Sequence, residues 1–305
     1  MKKSLLFTLF LGLIIPNVQA QEDLLSLLEN DSTPDSTVVY TEASFKTTRV
    51  VNSHSLENTA PGVLDFKINH RFGEINTGGY EMFGLDQASM RLGFDYGVTE
   101  RLMVGIGRST WNKTYDGFVK YKVLRQSSGF KKMPVTLIWF SGMYVNSLKW
   151  AEPDRENYFS SRLDYAHQLI IGRKFTEGLS LQLMPSMVHR NLVENTDVSN
   201  DVFSIGVAGR QKITKRVSVN AEYYYVLPDQ IQDIYTNSLS IGVDIETGGH
   251  VFQLMVTNST AMTENGFIAA NTGDWLDGDI RFGFNISRVF TLVKPKELKE
   301  TGSDW

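Results

Sequence analysis

The run GIGRST at Gly105–Thr110 carries two glycines one residue apart, the opening of a dinucleotide-binding loop. That loop needs a third glycine three residues after the second, between a strand and the start of a helix, so that backbone N–H groups can approach a pyrophosphate. Here that position is Thr110, and Trp111-Asn112-Lys113 reads as a loop. The five histidines form neither HxH nor HExxH, and Asp274, Asp277 and Asp279 lack the spacing of an EF-hand. The chain has no cysteine, which excludes thiol catalysis and cysteine metal sites. It also lacks a Walker A run and a basic stripe, so no cofactor, metal or nucleic acid is expected. A hydrolase would need a serine within hydrogen-bond reach of a histidine, and a group to orient that histidine. His70, His167 and His189 fall among apolar positions, and no serine pairs convincingly with one of them across neighbouring strands. The chain is therefore not expected to be an enzyme, and lipid hydrolysis ranks last among its functions.

The remaining polar chemistry is spread through the chain in a regular pattern. Leu64, Phe66, Ile68 and Phe72 alternate with Asp65, Lys67, Asn69 and Arg71. Met90, Leu92, Phe94 and Tyr96 alternate with Arg91, Gly93 and Asp95, and the same period recurs at Leu239–Glu246 and Ile280–Ser287. A period of two means strands with one apolar and one polar face. About twelve such segments start near residues 63, 88, 102, 117, 134, 160, 179, 202, 217, 238, 250 and 280. The segment at 134–146 is apolar on both phases, which leaves its facing open. No long stretch has helical spacing.

Connections between these segments alternate long and short. Turns such as Val98-Thr99-Glu100, Thr176-Glu177-Gly178 and Thr247-Gly248-Gly249 are short, whereas the loops near 73–87, 147–159 and 259–279 are long. A soluble sandwich would show Greek-key connections of mixed length. A meandering all-β transmembrane antiparallel up-and-down barrel shows this alternation, with strands long enough to cross a bilayer at a tilt. Phe72, Trp111 and Tyr235 at the loop ends, and Tyr96, Phe175 and Phe290 at the turn ends, fit two aromatic girdles.

The N-terminus agrees with export. Lys2 and Lys3 precede the apolar run Leu5–Ile15, and Val18-Gln19-Ala20 is a small-x-small cleavage site, so residues 1–20 read as a signal peptide cut after Ala20. Its removal makes the formal charge of −4 two units more negative. Residues 21–60 read as a flexible acidic leader, within which Ser44–Val51 either forms a strand or tucks into a cavity. Residues 61–291 form the barrel and 292–305 a tail. The destination is the bacterial outer membrane.

Several stretches resemble an uncharacterised family of bacterial outer-membrane β-barrels, known only as a domain of unknown function. They are HRFG at His70–Gly73, FGLD at Phe83–Asp86, RLGFDYGVTERLMVGIGRS at Arg91–Ser109 and YDGFVKYKVLRQ at Tyr115–Gln126. The resemblance covers about residues 45–290. It implies a barrel in the outer membrane and brings no activity, ligand or catalytic residue.

The face opposite the lipid stripe must line the lumen, because charges facing lipid cost several kcal/mol near the midplane. It is expected to hold Asp65, Lys67, Arg71, Arg91, Asp95, Lys120, Lys122, Arg162, Asp164, Arg210, Lys212, Glu222, Asp244, Glu246 and Arg281, with cations in excess. Gly105 and Gly107 fall on the same face opposite Arg91 and Asp95, as space for those side chains, a solute or the leader. A spacing of about 4.8 Å and a tilt near 40° give twelve strands a backbone diameter of roughly 24 Å, with about 10 Å or less left between side chains. The lumen is then either a narrow charged pore or a closed network of ion pairs. The leading expectation is a narrow channel or uptake component for small polar or anionic solutes, surrounded by outer-membrane lipid. The alternative is a closed structural or interaction barrel with a plugged lumen.

Overall fold

The structure is a computed structural model, and it describes residues 37–193, 195, 198–248 and 250–294. The expected signal peptide, the first part of the expected leader and the end of the expected tail lie outside these residues. The described chain builds a closed barrel of twelve strands. They are β1 (Val63–Glu74), β2 (Ala88–Gly97), β3 (Leu102–Ser109), β4 (Tyr115–Leu124), β5 (Thr136–Val145) and β6 (Leu163–Lys174), followed by β7 (Leu179–Arg190), β8 (Asp201–Lys212), β9 (Val217–Val226), β10 (Leu239–Thr247), β11 (His250–Thr257) and β12 (Arg281–Thr291). Each strand pairs antiparallel with its neighbour in sequence, and β12 closes on β1 through pairs such as Phe284 with His70 and Phe290 with Leu64. The even strand count, the meander and the closure are those expected from the period of two.

The two ends differ. Both ends of the barrel chain and the short turns lie at one end, here the turn end; the long connections lie at the other, the loop end. The turn between β4 and β5 carries Ser127–Gly129, which pairs antiparallel with Val38–Tyr40 of the leader and ties the leader to the turn end. Outward positions are apolar and exposed, among them Leu92, Ile106, Leu169, Leu183, Ile205, Ile241, Leu254 and Phe282. A belt of this kind has no use in water and is what a hydrocarbon surround requires.

The interior is full. Residues 44–59 enter from the turn end and are largely buried within the barrel, with Val50, Val51, Ser53, His54 and Ser55 wholly enclosed. The connection from β11 to β12 folds in from the loop end. It carries helix α1 (Glu264–Ala269), all of whose residues are buried. The leader is thus not a free tail over residues 44–59, because the wall supplies partners for polar groups that composition alone would leave to water.

Candidate functional site

The inner wall has two chemically different halves. On β1–β4 the inward phase carries Asp65, Lys67, Arg71, Arg91, Asp95, Asp116 and Lys120, all buried. On β5–β9 it carries Ile138, Phe140, Tyr144, Ala166, Ile170, Met184, Val188, Val202 and Tyr224, also buried. The segment that is apolar on both phases therefore turns Ile138 and Phe140 inward and Leu137, Trp139 and Met143 outward. The apolar half receives α1, with Phe267 packed against Tyr224 at 5.1 Å between ring centroids. The polar half and the adjoining β9–β12 receive the leader.

The leader is held as a hairpin. The Val50 N–H donates to the Ser53 carbonyl at 2.8 Å and the Ser55 N–H to the Thr48 carbonyl at 3.0 Å. The tip of this turn sits on Glu222 of β9. That carboxylate accepts from the N–H groups of Val51 (3.3 Å), Asn52 (2.7 Å) and Ser53 (3.1 Å), and from the Ser53 hydroxyl (2.6 Å). One buried carboxylate thereby satisfies three turn amides with no partner in the leader's own backbone. The wall also reaches the leader's oxygens. Arg71 donates to Asn52 Oδ1 at 2.6 Å, Gln253 to the Val50 carbonyl at 2.5 Å and Asn285 to the Val51 carbonyl at 3.0 Å. Gln182 donates to the His54 carbonyl at 2.8 Å, Lys120 to the Glu57 carbonyl at 2.5 Å and Arg210 to the Ser44 carbonyl at 3.0 Å.

The two inserted segments meet at Glu264. Its Oε1 accepts from Arg49 Nη1 of the leader at 3.1 Å, and its Oε2 from the Tyr144 hydroxyl of β5 at 2.6 Å. The Arg49 and Glu264 side chains are 6% and 1% exposed, so this pair is cut off from water. His54 Nε2 lies 3.8 Å from the same carboxylate, and among the described residues neither ring nitrogen has a hydrogen-bond partner. Its ring is wedged between Phe118 at 4.6 Å and Phe140 at 4.4 Å. Arg49, Glu264, Tyr144 and His54 thus form a latch that joins leader, loop and wall near the barrel axis.

The expected lumen residues fall into distinct groups. Asp65, Lys67 and Asp95 form one cluster, with Lys67 Nζ 3.0 Å from Asp65 and 3.3 Å from Asp95; Lys67 also contacts the Thr48 hydroxyl of the leader. Arg91 makes a two-pronged pair with Asp116, 2.9 Å from Nε to Oδ1 and 2.5 Å from Nη2 to Oδ2. Gly105 and Gly107 lie under these groups. A Cβ at Gly107 would stand 2.4 Å from Arg91 Nη2 and 2.8 Å from Asp116 Oδ1, and one at Gly105 2.3 Å from the Phe118 ring and 2.8 Å from Asp95 Oδ1. The pair of glycines that opens like a phosphate cradle is the thin wall that admits buried side chains. Asp244 accepts from Gln253 at 2.6 Å, and Asp164 from Asn265 of α1 at 2.9 Å. Arg210 and Lys120 face carbonyl oxygens of the leader, as described above. Lys122 and Lys212 are half-buried toward the turn end, and Glu246 there pairs with Lys46 of the leader. Arg281 pairs with Glu74 at the loop-end rim.

Two expectations are corrected. Arg162 is not in the lumen: it lies in a one-turn helix before β6, donates to the carbonyls of Asn146 (2.7 Å) and Leu148 (2.6 Å), and stacks on Trp150 at 3.7 Å. The regular alternation starts only at Leu163, so a residue count run back into the loop misplaces it. A serine does pair with an outward histidine: Ser141 of β5 and His167 of β6 face each other in register, with Ser141 Oγ 3.0 Å from His167 Nδ1. Since the bonding partners of a strand depend on register, the pair is invisible until β5 is aligned with β6. Among the described residues no carboxylate or amide bonds to the other nitrogen of His167. The hydroxyl satisfies a histidine that faces lipid, and the geometry stops at that.

Sequence reasoning missed Arg49, Asn52, His54, Asp116, Tyr144 and Glu264. Asp116 had a signal, since it shares the inward phase of β4 with Phe118 and Lys120. Glu264 had a weaker one: Gly266-Phe267-Ile268-Ala269-Ala270 is an apolar stretch within an otherwise polar loop.

A closed meander with an apolar belt outside and two chain segments inserted into its interior defines a membrane β-barrel with an internal plug. The chain belongs to the family of the membrane bound beta barrel domain DUF5777, which matches residues 45–290, from the plug to the last strand. Solved structures similar in fold include the NanC porin, at 10% identity and a TM-score of 0.48 over 75% of this chain and all of that one. The KdgM porin follows at 9% identity and 0.46, over 75% of this chain and 99% of that one. The COG4313 outer membrane channel from Pseudomonas putida F1 is 13% identical at 0.46, over 77% of this chain and 98% of that one. No curated protein matches the chain.

Proposed function

We propose that the protein is a gated channel of the bacterial outer membrane for small polar or anionic solutes, reaching it through a signal peptide cleaved after Ala20. The turn end then faces the periplasm and the loop end the outside. The carrying observation is the way the lumen is closed. Beside the buried side chains of Phe45, Val50, Val51 and Leu56, the plug is held by hydrogen bonds between polar wall groups and the backbone of residues 44–57, from Arg210 on Ser44 to Lys120 on Glu57. Contacts of this kind are worth only about 0.5–1.5 kcal/mol each once water can replace them. A hairpin so held can leave and return, whereas a wall packed shut with apolar side chains cannot reopen cheaply. Once the hairpin has left, Asp65, Lys67, Arg71, Arg91, Asp95, Lys120, Arg210, Glu222 and Asp244 line the solute path, over the low floor made by Gly105 and Gly107. The channel is closed in the arrangement described here, and Glu264 reports its state to the outer loop.

Planar-bilayer recordings test this reading. The full chain is expected to conduct rarely, and a chain lacking residues 44–59 to show frequent, salt-dependent single-channel steps. A correctly folded deletion variant, identified by heat-modifiable gel mobility, that shows no steps would leave the closed structural barrel as the better reading.

A further inference from the structure

The outer wall carries a built groove on β6–β10. Arg173, Leu181, Gly209 and Ala221 are successive register partners on β6, β7, β8 and β9, and Ile171, Leu183, Val207, Tyr223 and Leu239 form the next row toward the loop end. Because Ala221 is small and its neighbours large, a trough of about 700 Å³ opens along the wall, with the Leu181 side chain folded over Gly209 on its floor. Its sides are apolar and face outward, with Leu183 at 43% and Val207 at 46% exposure. One end of the trough is different. Arg173 stands two residues before the Phe175 turn, at the headgroup level of the turn-side leaflet, and its guanidinium lies 5.3 Å over the Phe175 ring. Arg173 forms no ion pair among the described residues.

We infer that this trough is a specific site for one anionic phospholipid of the turn-side leaflet, with its phosphate on Arg173 and an acyl chain laid over Leu181 and Ala221. Charge and size both point to this occupant. A guanidinium presents paired donors that match a phosphate, and at an interface it is not outcompeted by carboxylates it does not touch. Four strand spacings from β6 to β10 span about 19 Å across the strands, and at a strand tilt near 40° such a row climbs about 12 Å, within the ~15 Å half-thickness of the hydrocarbon core that an acyl chain fills. A second barrel would need a flat or protruding surface here, whereas the trough is concave and its charged end is at lipid-headgroup depth.

The test is native mass spectrometry of the full chain, released from detergent micelles doped with equal amounts of phosphatidylglycerol and phosphatidylcholine. The wild type is expected to keep one phosphatidylglycerol after the loosely bound lipid is stripped. Arg173→Ala should lose the preference for phosphatidylglycerol, with about tenfold weaker retention. Ala221→Leu, which fills the trough and leaves Arg173 in place, should weaken retention of both lipids. Arg288→Ala is the control, since Arg288 lies over Phe290 on the opposite part of the belt at 5.1 Å, and it should change nothing. Equal retention in the wild type and Arg173→Ala, an equal loss in Arg288→Ala, or a dimer in place of the lipid adduct would each overturn the inference. Heat-modifiable mobility of every variant separates loss of the site from loss of the barrel.

Discussion

Replacing Arg49 by methionine removes the cation of the latch while keeping most of its apolar stem. The guanidinium holds Glu264 at 3.1 Å and the Asn52 carbonyl at 2.8 Å, in a place where neither side chain meets water. Removing one partner of a buried ion pair leaves the other charge uncompensated, at a cost of about 3–5 kcal/mol. The Tyr144 hydroxyl at 2.6 Å still serves Glu264, which favours the low end of that range. About 3 kcal/mol, applied to the equilibrium between inserted and withdrawn plug, raises the withdrawn fraction by a factor of about 150. Since the chain has no cysteine, a single Val50→Cys, wholly buried in the plug, reports withdrawal by its rate of labelling with a water-soluble maleimide. Labelling should accelerate on the order of a hundredfold when Arg49→Met is added. Further replacement of Glu264 by leucine should recover most of the protection, because the orphaned charge is then gone. If Arg49→Met labels no faster while the barrel remains folded, the latch does not hold the plug and the reasoning fails.

Other consequences are equally specific. Gly107→Ala drives a methyl into the Arg91–Asp116 pair and should destabilise the barrel by about 3 kcal/mol, read as a lower urea midpoint of folding in lipid vesicles. Glu222→Ala deprives the three turn amides of their acceptor and should expose the plug to the Val50→Cys labelling assay without unfolding the strands. Asp279, in the loop before β12, accepts from the Asp274 N–H and from Asn76, and these bonds hold its carboxyl below the usual carboxylate range. Its clasp between the first and last outer loops is therefore present above the ordinary carboxylate pKa and lost only as pH falls through the lowered one. Protease cleavage of those loops should stay slow at mildly acidic pH and rise below that range, and Asp279→Asn should remove the transition. Ser141→Ala should leave lipid ester hydrolysis at the background of the wild type, since among the described residues no carboxylate or amide orients His167.

The barrel was legible because alternation is enforced along every strand that has lipid on one side. Leu92 and Arg91, or Val243 and Asp244, cannot exchange faces without burying charge in hydrocarbon. The long and short connections then ordered the strands. The inner wall was legible only by half. Asp65, Arg71 and Asp95 read as lumen residues because charge has no other place to go, but Ile170, Met184 and Val202 carry no mark of facing inward. Their environment is set by α1, which arrives from a loop distant in sequence. The plug was hidden for the same reason. Thr47–Ser55 has no periodicity, and its polarity matches a solvated leader as well as a hairpin whose partners are Glu222, Gln253 and Asn285 on three different strands.

The central claim is that the hairpin closes the lumen and that its departure opens it. An ideal Cβ at Gly242 lies 3.2 Å from Val51 Cγ2, so cysteines at these two positions would place sulfur within bonding reach and tie the plug to β10. Single-channel recording of Val51→Cys with Gly242→Cys, in the Arg49→Met background, is the most direct measurement. The account predicts a silent barrel when oxidised and repeated openings after reduction, reversible on reoxidation. Equal conductance in the two redox states, or silence in both, would contradict it.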